Sequence, residues 1–381
     1  MNASVFVTHQ PVLNKQQVVT ANRLLVHTRG TGLGQAAVQT LTDLSDVWPS
    51  ERTMFLSLAG AMPDPRLLEW QAPHNVMFEI PAAALNCAPT IQLIKDLQQA
   101  GATLCLDGYV PVQALPQSVN FRFVIADLDD ARRGAPAGLM LARNLADVDA
   151  FDTALKSGFD GAIGWFFLRT KPIAKKLAPS HAQIVRLLNL VRRNAEVRDI
   201  EAALKQDVAL SLKLLRYINS AGFGLSCEIQ SFRHAVTILG YDKLHKWLSL
   251  LLVTASKYPT GPALMQTSIV RGRFMEIMGA QFFDKREVDN LFITGAFSLL
   301  DILLGTSMEA ILDEMKLPEV VMDTLLQRDS VYKPFLELAV ASESDSDTSL
   351  AEISSSLQLE AARVNRAQLQ ALSFADSLQF G

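Results

Sequence analysis

The fold is decided by residues 76–106, which read VMFEIPAAALNCAPTIQLIKDLQQAGATLCL. Apolar residues dominate both ends of this stretch, at 76–80 and 102–106, and each end predicts a β-strand. Between them, residues 91–100 carry apolar side chains at helical spacing and are followed by Gly101, which predicts a helix and its end. A strand, a helix and a second strand at this pitch indicate a βαβ unit with parallel strands.

The same alternation continues on the C-terminal side, where further elements are predicted as strands at 121–125, 138–142 and 161–164 and as a helix at 148–157. Repeated βαβ units form a parallel sheet or barrel, whose active sites lie at the carboxyl ends of the strands. We therefore predict a barrel-like α/β domain over residues 1–172. An eight-unit barrel typically takes roughly 250 residues, so we expect some of its elements to be missing.

After about residue 171 the apolar residues recur every three or four positions, which is typical of amphipathic helices. Helices are predicted at 181–193, 199–205, 209–220, 231–239, 241–256 and 266–283. A second, helical domain is thus predicted over residues 173–381, with the junction near 177–183. We interpret the serine- and acid-rich stretch 342–348 as a solvated connection between helices, because helical spacing resumes at 350–372.

The composition of the 381-residue chain is that of a folded protein with enough apolar material for two cores. Hydrophobic residues make up 49% and the formal net charge is −4, so nucleic-acid binding would need a local basic patch. Apolar runs are too short to span a bilayer and no signal peptide is evident, so we expect a cytoplasmic protein. Three separated cysteines indicate reduced, buried thiols rather than a disulfide framework or a zinc site: Cys87, Cys105 and Cys227.

A motif in the second half carries the most specific signal. It reads QDVAL from Gln206, LLRYINSAGFG from Leu214 and IQSFRHAVTILG from Ile229. In order, spacing and its Asn-Ser-Ala turn it resembles the HDOD family, whose pattern is QDPALTxxLLxxxNSAxxG followed by ISSIxxAIxxLG. The resemblance implies a helical, HD-related interaction or output domain. We interpret the motif residues, which include Asp207, as shaping the fold. Asn219 and Ser220 end a helix, Gly224 allows a tight turn and Gly240 ends the next helix.

HDOD domains are related by fold to HD-type metal phosphohydrolases, which need clustered histidines and an adjacent His-Asp pair. None of the six histidines in this chain is followed by Asp. His234 and His245 are eleven residues apart and could share a helix face, but without a neighbouring carboxylate a packed or surface pair is favoured. We therefore predict neither a metal nor another cofactor.

Anchor residues of a second family lie in the first half: HQPV at 9–12, LL at 24–25, FEI at 78–80, LDGY at 106–109, AD at 126–127, GFD at 158–160 and GWFF at 164–167. They resemble EAL-type cyclic di-GMP phosphodiesterases, especially the shorter family in which a degenerate EAL-like domain precedes HDOD. The resemblance implies a site where carboxylates and an asparagine hold two divalent metals that activate water.

Several positions of that site depart from the family pattern in this sequence. The departures are Arg23 for the glutamate of the family name, Ser57 for a metal-binding asparagine, Gly108 for the second Asp of DDFG, Ile125 for the lysine of KxD, Arg143 for the first glutamate of AExVE, and Ile163 for the glutamine of QGY. The retained carboxylates are Glu79, Asp107 and Asp127. Two arginines place fixed positive charge where metals would sit, so we expect no catalysis and predict ion pairs with the retained carboxylates instead.

The predicted function is that of a non-catalytic bacterial signal-transduction protein that serves as a regulatory platform for protein partners. A cyclic di-GMP receptor that does not cleave its ligand is the main alternative, because Arg23 and Arg143 could contact phosphates directly. Residual phosphodiesterase activity through Glu79 and Asp107 is a third hypothesis. Nucleic-acid binding through the basic stretch 171–216 is a fourth, although solvated helix faces explain that stretch better.

Overall fold

The computed structural model describes residues 5–28, 33–133, 138–169, 179–205, 219, 229, 231–253 and 259–378. Their contacts divide the chain into two units, one of residues 1–170 with 340–370 and the other of residues 171–339 with 371–381. The sequence placed the boundary at residues 172 and 173. The contact division differs from that prediction for residues 340–370, which pack with the first unit.

A closed barrel of eight strands forms the first unit, and its strands follow one another in chain order. They are β1 (Val5–Asn14), β2 (Val19–Thr28), β3 (Thr53–Ser57), β4 (Val76–Pro81), β5 (Thr103–Asp107), β6 (Phe123–Ala126), β7 (Leu139–Ala142) and β8 (Gly161–Ile163). β1 is antiparallel to both of its neighbours, β2 and β8, and the other pairs are parallel. The predicted barrel-like fold is confirmed.

The barrel is shorter than a typical one because it has fewer helices between its strands, whereas all eight strands are present. The helices between strands are α1 (Leu33–Asp43), α2 (Ala88–Gln99) and α3 (Val148–Lys156). In the described residues, the connections β3 to β4, β5 to β6 and β6 to β7 contain only short 3-10 turns. All eight strands are kept because a barrel closes only when strand number and stagger agree, whereas a crossover helix can be replaced by a loop.

Side chains alternate along each strand between the barrel interior and the surrounding layer. Each strand contributes one residue to a buried cluster inside the barrel: Val12, Ala21, Phe55, Met77, Cys105, Ile125, Leu141 and Ile163. The opposite faces pack outward in a larger cluster that includes residues of α1 and α2. The interior is therefore a packed core, and any site must lie at an end of the barrel.

The second half of the chain is helical in its described residues, as predicted. Its helices are α4 (Pro179–Arg192), α5 (Val197–Lys205), α6 (Phe232–Val253), α7 (Gly261–Gly279), α8 (Lys285–Phe297), α9 (Leu300–Leu304), α10 (Met308–Asp313), α11 (Glu319–Leu325), α12 (Lys333–Ala341), α13 (Thr348–Ser356) and α14 (Ala361–Ser377). Gly240 breaks α6 with a φ of 73°, where the sequence predicted a helix end. In the part of the chain that the structure describes, every helix is too short or too polar to cross a membrane.

Candidate functional site

A ring of polar side chains, here called the barrel mouth, lies one layer beyond the interior cluster, towards the carboxyl ends of the parallel strands. Residues two apart along a strand point to the same side. Arg23, Glu79 and Asp107 each follow a residue of the interior cluster by two positions, so they form the next layer up. Gln10 precedes Val12 by two, because β1 runs in the opposite direction. The barrel mouth comprises Gln10, Arg23, Ser57, Glu79, Asp107, Asp127 and Arg143.

Arg23 is the central cation of the barrel mouth. Its Nε donates to Glu79 Oε1 at 2.8 Å and its Nη2 to Glu79 Oε2 at 2.7 Å, which makes a two-point ion pair. Its Nη1 donates to Gln10 Oε1 at 3.0 Å, and Asp107 lies 3.5 Å from Nη2. Burial alone would lower the pKa of Arg23, but the charge and hydrogen bonds of Glu79 raise that pKa above its ordinary value. The guanidinium is therefore permanently charged and fixed in orientation.

Arg143 engages the two remaining carboxylates of the ring. Its Nη1 pairs with Asp107 Oδ1, and its Nη2 lies 3.3 Å from Asp127 Oδ2. Asn144 adopts a left-handed φ of 57° and donates from Nδ2 to Asp127 Oδ1 at 2.9 Å. Glu79, Asp107 and Asp127 thus all face guanidinium groups. The predicted pairing of the retained carboxylates with the two arginines is confirmed.

This arrangement does not fit the two divalent metals that the EAL resemblance implies. Arg23 and Arg143 occupy the space between the carboxylates with groups that cannot be deprotonated in a protein. Ser57 lines the same cavity with a hydroxyl, a weaker metal ligand than a carboxylate. The described residues contain no group of three or more His, Cys, Asp or Glu side chains placed to hold a metal ion.

The other predicted positions of the site have backbone or packing roles. Gly108 has a φ of 108° and donates its N–H to the carbonyl of Ile125. Ile125 and Ile163 belong to the interior cluster, and Ile163 also lines the floor of the mouth cavity. None of these three residues has a polar side chain that could take the place of the family's metal ligand or polar contact.

Asp345, at the rim of the barrel mouth, was not predicted from the sequence. The stretch 342–348 was expected to be a solvated connection, and that interpretation is wrong for its first residues, because Ser342 and Glu343 are buried. Asp345 Oδ1 accepts a hydrogen bond from Gln10 Nε2 at 2.6 Å and lies at the rim of the cavity with Arg23. No local pattern signals this contact, since the two partners are 335 positions apart.

In the helical half, Asn219 is the predicted motif residue with visible contacts. Its Nδ2 donates to the carbonyl of Ile229 at 2.8 Å and its Oδ1 accepts from the N–H of Ile229 at 2.6 Å. The pair joins two pieces of the motif, in agreement with a role in shaping the fold. Three motif residues lie outside the described residues: Asp207, Ser220 and Gly224.

The histidines and cysteines have structural surroundings. Gly240 separates His234 from His245, so the two do not share one continuous helix face. Burial and the nearby charge of Arg192 lower the pKa of His245 to about 4, which keeps it neutral near pH 7. Cys105 is buried as predicted, and burial raises its pKa. The prediction of a buried thiol was wrong for Cys87, which is exposed at the start of α2, and Cys227 lies outside the described residues.

Comparison with known protein families gives a match within the second half. Residues 177–300 match the HDOD domain family. The chain contains an HDOD domain. It is similar to the cyclic di-GMP phosphodiesterase CdgJ of Vibrio cholerae, with 30% identity over 271 residues, 66% of this chain and 63% of that protein. The matched region thus spans less than two thirds of the length of that relative.

A second relative matches almost end to end. The uncharacterized protein YuxH of Bacillus subtilis is 22% identical over 390 residues, which cover 94% of this chain and 95% of that protein. The chain thus contains an HDOD domain and is similar to a protein described as a cyclic di-GMP phosphodiesterase, and the predicted HDOD resemblance is confirmed.

Solved structures similar to part of the chain are EAL domains and phosphodiesterases. The FimX EAL domain is 14% identical and covers 42% of this chain and 88% of its own, with a TM-score of 0.32. The PaMucR phosphodiesterase, solved as a cyclic di-GMP complex, is 12% identical and covers 42% of this chain and 94% of its own, with a TM-score of 0.33. The barrel itself is defined by its strand order.

Proposed function

We propose that this chain is a non-catalytic regulatory protein of cyclic di-GMP signalling, which acts on protein partners and does not hydrolyse phosphodiesters. The observation that carries the proposal is the ion-pair network of the barrel mouth. Arg23 is paired with Glu79, and Arg143 bridges Asp107 and Asp127. The carboxylates that a metal-dependent phosphodiesterase needs for its metals are already neutralised from within the chain.

Displacement of the arginines by metal ions is opposed by their burial. The residues Arg23 and Glu79 are 8% and 5% exposed. A metal bound to Glu79 would leave the guanidinium buried next to another cation, and an uncompensated buried charge costs several kcal/mol, of the order of 3–5 kcal/mol. A metal site that loses a single ligand can still bind metal more weakly. This site instead contains two arginine side chains that compete with metal ions for the carboxylates.

Charge also disfavours the receptor alternative, in which the barrel mouth would bind intact cyclic di-GMP. The mouth and its rim carry the carboxylates of Glu79, Asp107, Asp127 and Asp345 and the guanidinium groups of Arg23 and Arg143. An anionic ligand would meet more negative than positive charge there. The cavity volume is about 210 Å³, below the roughly 300–1,000 Å³ of typical ligand pockets.

The proposal is tested by incubating the purified full chain with labelled cyclic di-GMP and Mg²⁺ or Mn²⁺, and scoring bound nucleotide and linear product in the same sample. We expect neither above the level of a heat-unfolded sample. Linear product that disappears in Glu79→Ala would overturn the non-catalytic assignment. Bound but intact nucleotide, lost in Arg143→Ala, would make the chain a receptor.

A second experiment replaces the two arginines by glutamates, the residues that the EAL resemblance implies at these positions. In the double variant Arg23→Glu and Arg143→Glu, the competing cations are gone and six acidic side chains surround the mouth and its rim. We expect Mn²⁺ binding by calorimetry in this variant and none in the parent chain. A parent chain that binds Mn²⁺ as tightly as the variant would remove the physical basis of the proposal.

A further inference from the structure

A groove of about 760 Å³ lies between α4 and α10 in the helical unit. Asn189 of α4 ties its two sides together at one point. The Nδ2 of Asn189 donates to the carbonyl of Glu314 at 2.9 Å, and its Oδ1 accepts from the N–H of Lys316 at 3.0 Å. The segment that follows α10 is therefore held against α4, and the groove is a fixed feature of this unit.

The two sides of the groove carry charges of different sign. On the α4 side, Arg186 and Arg193 are seven positions apart, which places them on the same face of the helix. On the α10 side, Asp313 and Glu314 form an acidic pair that is followed by Lys316. All five charged residues are exposed. The groove is thus cationic along α4 and chiefly anionic along α10.

Most of these charges are not neutralised within the chain. In the part of the chain that the structure describes, the side chains of Arg193, Asp313 and Glu314 form no ion pair and no hydrogen bond. Elsewhere in the same unit an exposed arginine does pair with a glutamate, as Arg233 does with Glu201 at 3.2 Å. Opposite charges face the same groove and remain available to an occupant.

The floor of the groove limits what that occupant can be. Val185 and Leu190 line the groove and are only 3% and 8% exposed, so the floor is apolar. A uniformly acidic partner, such as a nucleic acid, would pair with Arg193 but would be repelled by Asp313 and Glu314. The groove therefore favours a protein surface that is anionic on one side and cationic on the other.

The same groove on a second copy of this chain is such a surface. A twofold axis along the groove sets the α4 side of each copy against the α10 side of the other. Arg193 of one copy then faces the acidic pair of its partner, and the symmetry repeats this contact. Like charges would meet only if the two copies were docked in another orientation.

We propose that the groove between α4 and α10 is the contact through which two copies of this chain form a symmetric dimer. In the dimer, Arg193 of each copy pairs with Asp313 and Glu314 of the other, over the apolar floor. A dimer carries two barrel units, which makes the proposed regulatory protein bivalent for its partners. The inference uses no residue of the barrel mouth.

Sedimentation equilibrium of the full chain over a series of protein concentrations tests the proposal. We expect the average mass to rise from 41.8 kDa towards twice that value. Arg193→Glu places like charges opposite each other at both contacts, and so does Glu314→Arg. Each variant alone should raise the dissociation constant by about tenfold or more, because repulsion replaces attraction at two symmetry-related places.

An equimolar mixture of the two variants gives the deciding measurement. In a mixed dimer, each contact again joins a guanidinium to a carboxylate, so the mixture should dimerise about as tightly as the parent chain although neither variant does so alone. The matched control is Arg198→Glu, which makes the same change of charge at an exposed position on α5 in the same unit. It should dimerise like the parent.

Four results would overturn the proposal. They are a parent chain that stays monomeric at every concentration, a dimer that Arg193→Glu leaves unchanged, a mixture of folded variants that stays monomeric, and a monomer whose binding of labelled double-stranded DNA is lost in Arg193→Glu. Circular dichroism of each variant reports that it is folded, as expected for exposed positions. Each result is independent of cyclic di-GMP, so failure of the proposed function would leave this test unaffected.

Discussion

Arg23 shows how one substitution changes the chemistry of a site and its contribution to stability. In the EAL resemblance this position is a glutamate that binds metal, and here its guanidinium makes a two-point pair with the buried Glu79. A buried ion pair is weak evidence for net stability, but removal of one partner leaves the other buried without compensation. The Arg23–Glu79 pair thus contributes to the structure of the barrel.

Arg23→Ala should therefore lower the free energy of unfolding by about 3 kcal/mol or more, because Glu79 would stay buried and unpaired. Denaturant unfolding followed by circular dichroism measures this. Arg143→Ala is the matched control, since the Arg143 side chain is 28% exposed and water can replace it. If both variants lost the same free energy of unfolding, burial of the Arg23–Glu79 pair would not be the reason for the destabilisation.

The buried side chain of His245 predicts how the stability of the protein depends on pH. Its folded-state pKa is lowered to about 4 from 6.5, chiefly by burial and also by Arg192. The unfolded state therefore binds more protons between these values, so stability falls as the pH decreases from about 6.5 to about 4. Between pH 7 and pH 5 the contribution lost is about 2 kcal/mol.

The measurement is the free energy of unfolding at pH 7 and pH 5 for the parent chain and for His245→Asn. The variant should lose less stability on acidification by roughly that amount, whereas His234→Asn, at a half-buried position, should behave like the parent. Identical pH dependence in all three proteins would show that His245 is not the titrating group.

At the level of the elements, the contact between α7 and α8 requires glycine at two positions, which the hydrophobic periodicity of the helices does not predict. The two helices approach each other at Gly272 and Gly295, where a Cβ on Gly272 would lie 2.7 Å from the carbonyl oxygen of Phe292. Backbone atoms cannot move aside as a side chain can. The two glycines allow the helices to pack closely.

Gly272→Ala should accordingly destabilise the protein by about 1–3 kcal/mol, the cost of overpacking a closed interface. Thermal unfolding provides the measurement. Gly279→Ala in the same helix is the comparison, because its Cβ would meet the movable end of the Leu291 side chain. A larger loss of stability in Gly279→Ala than in Gly272→Ala would contradict the close approach of the α7 and α8 backbones at Gly272.

For the whole molecule, the barrel is built from two separated parts of the sequence. Leu369 is fully buried in the cluster that surrounds the barrel, and Asn365 satisfies two backbone groups of β1. Residues 1–172 alone lack both contributions. A domain boundary drawn from the sequence therefore cuts through a folded unit.

We expect a chain of residues 1–172 to bind a hydrophobic dye and to lack near-ultraviolet circular dichroism, because its buried surface and the β1 edge are uncovered. Attachment of residues 340–370 through a flexible Gly/Ser linker should restore a cooperative unfolding transition. A cooperative barrel without the added segment would show that residues 340–370 are dispensable for its folding.

Local patterns were sufficient for the elements between residues 76 and 164 and for the helical character of the second half, whereas most mouth residues were identified from the EAL resemblance. The strands at 76–80 and 161–164, the helix end at Gly240 and the helical second half follow from side-chain periods and from backbone freedom of glycine. The pairing of Glu79 with Arg23 was expected from the EAL resemblance, which places both residues at one site, and from the attraction between a carboxylate and a guanidinium.

Only the tertiary structure placed Asp345 on Gln10 and Asn365 on β1. These contacts join residues more than 330 positions apart and obey no period, so neither partner carries a signal of the other. They exist because the edge of β1 has backbone groups that must be satisfied once water is excluded. Local sequence sets which elements form and what chemistry they carry, whereas the need to pair every buried polar group decides which distant segment completes the barrel.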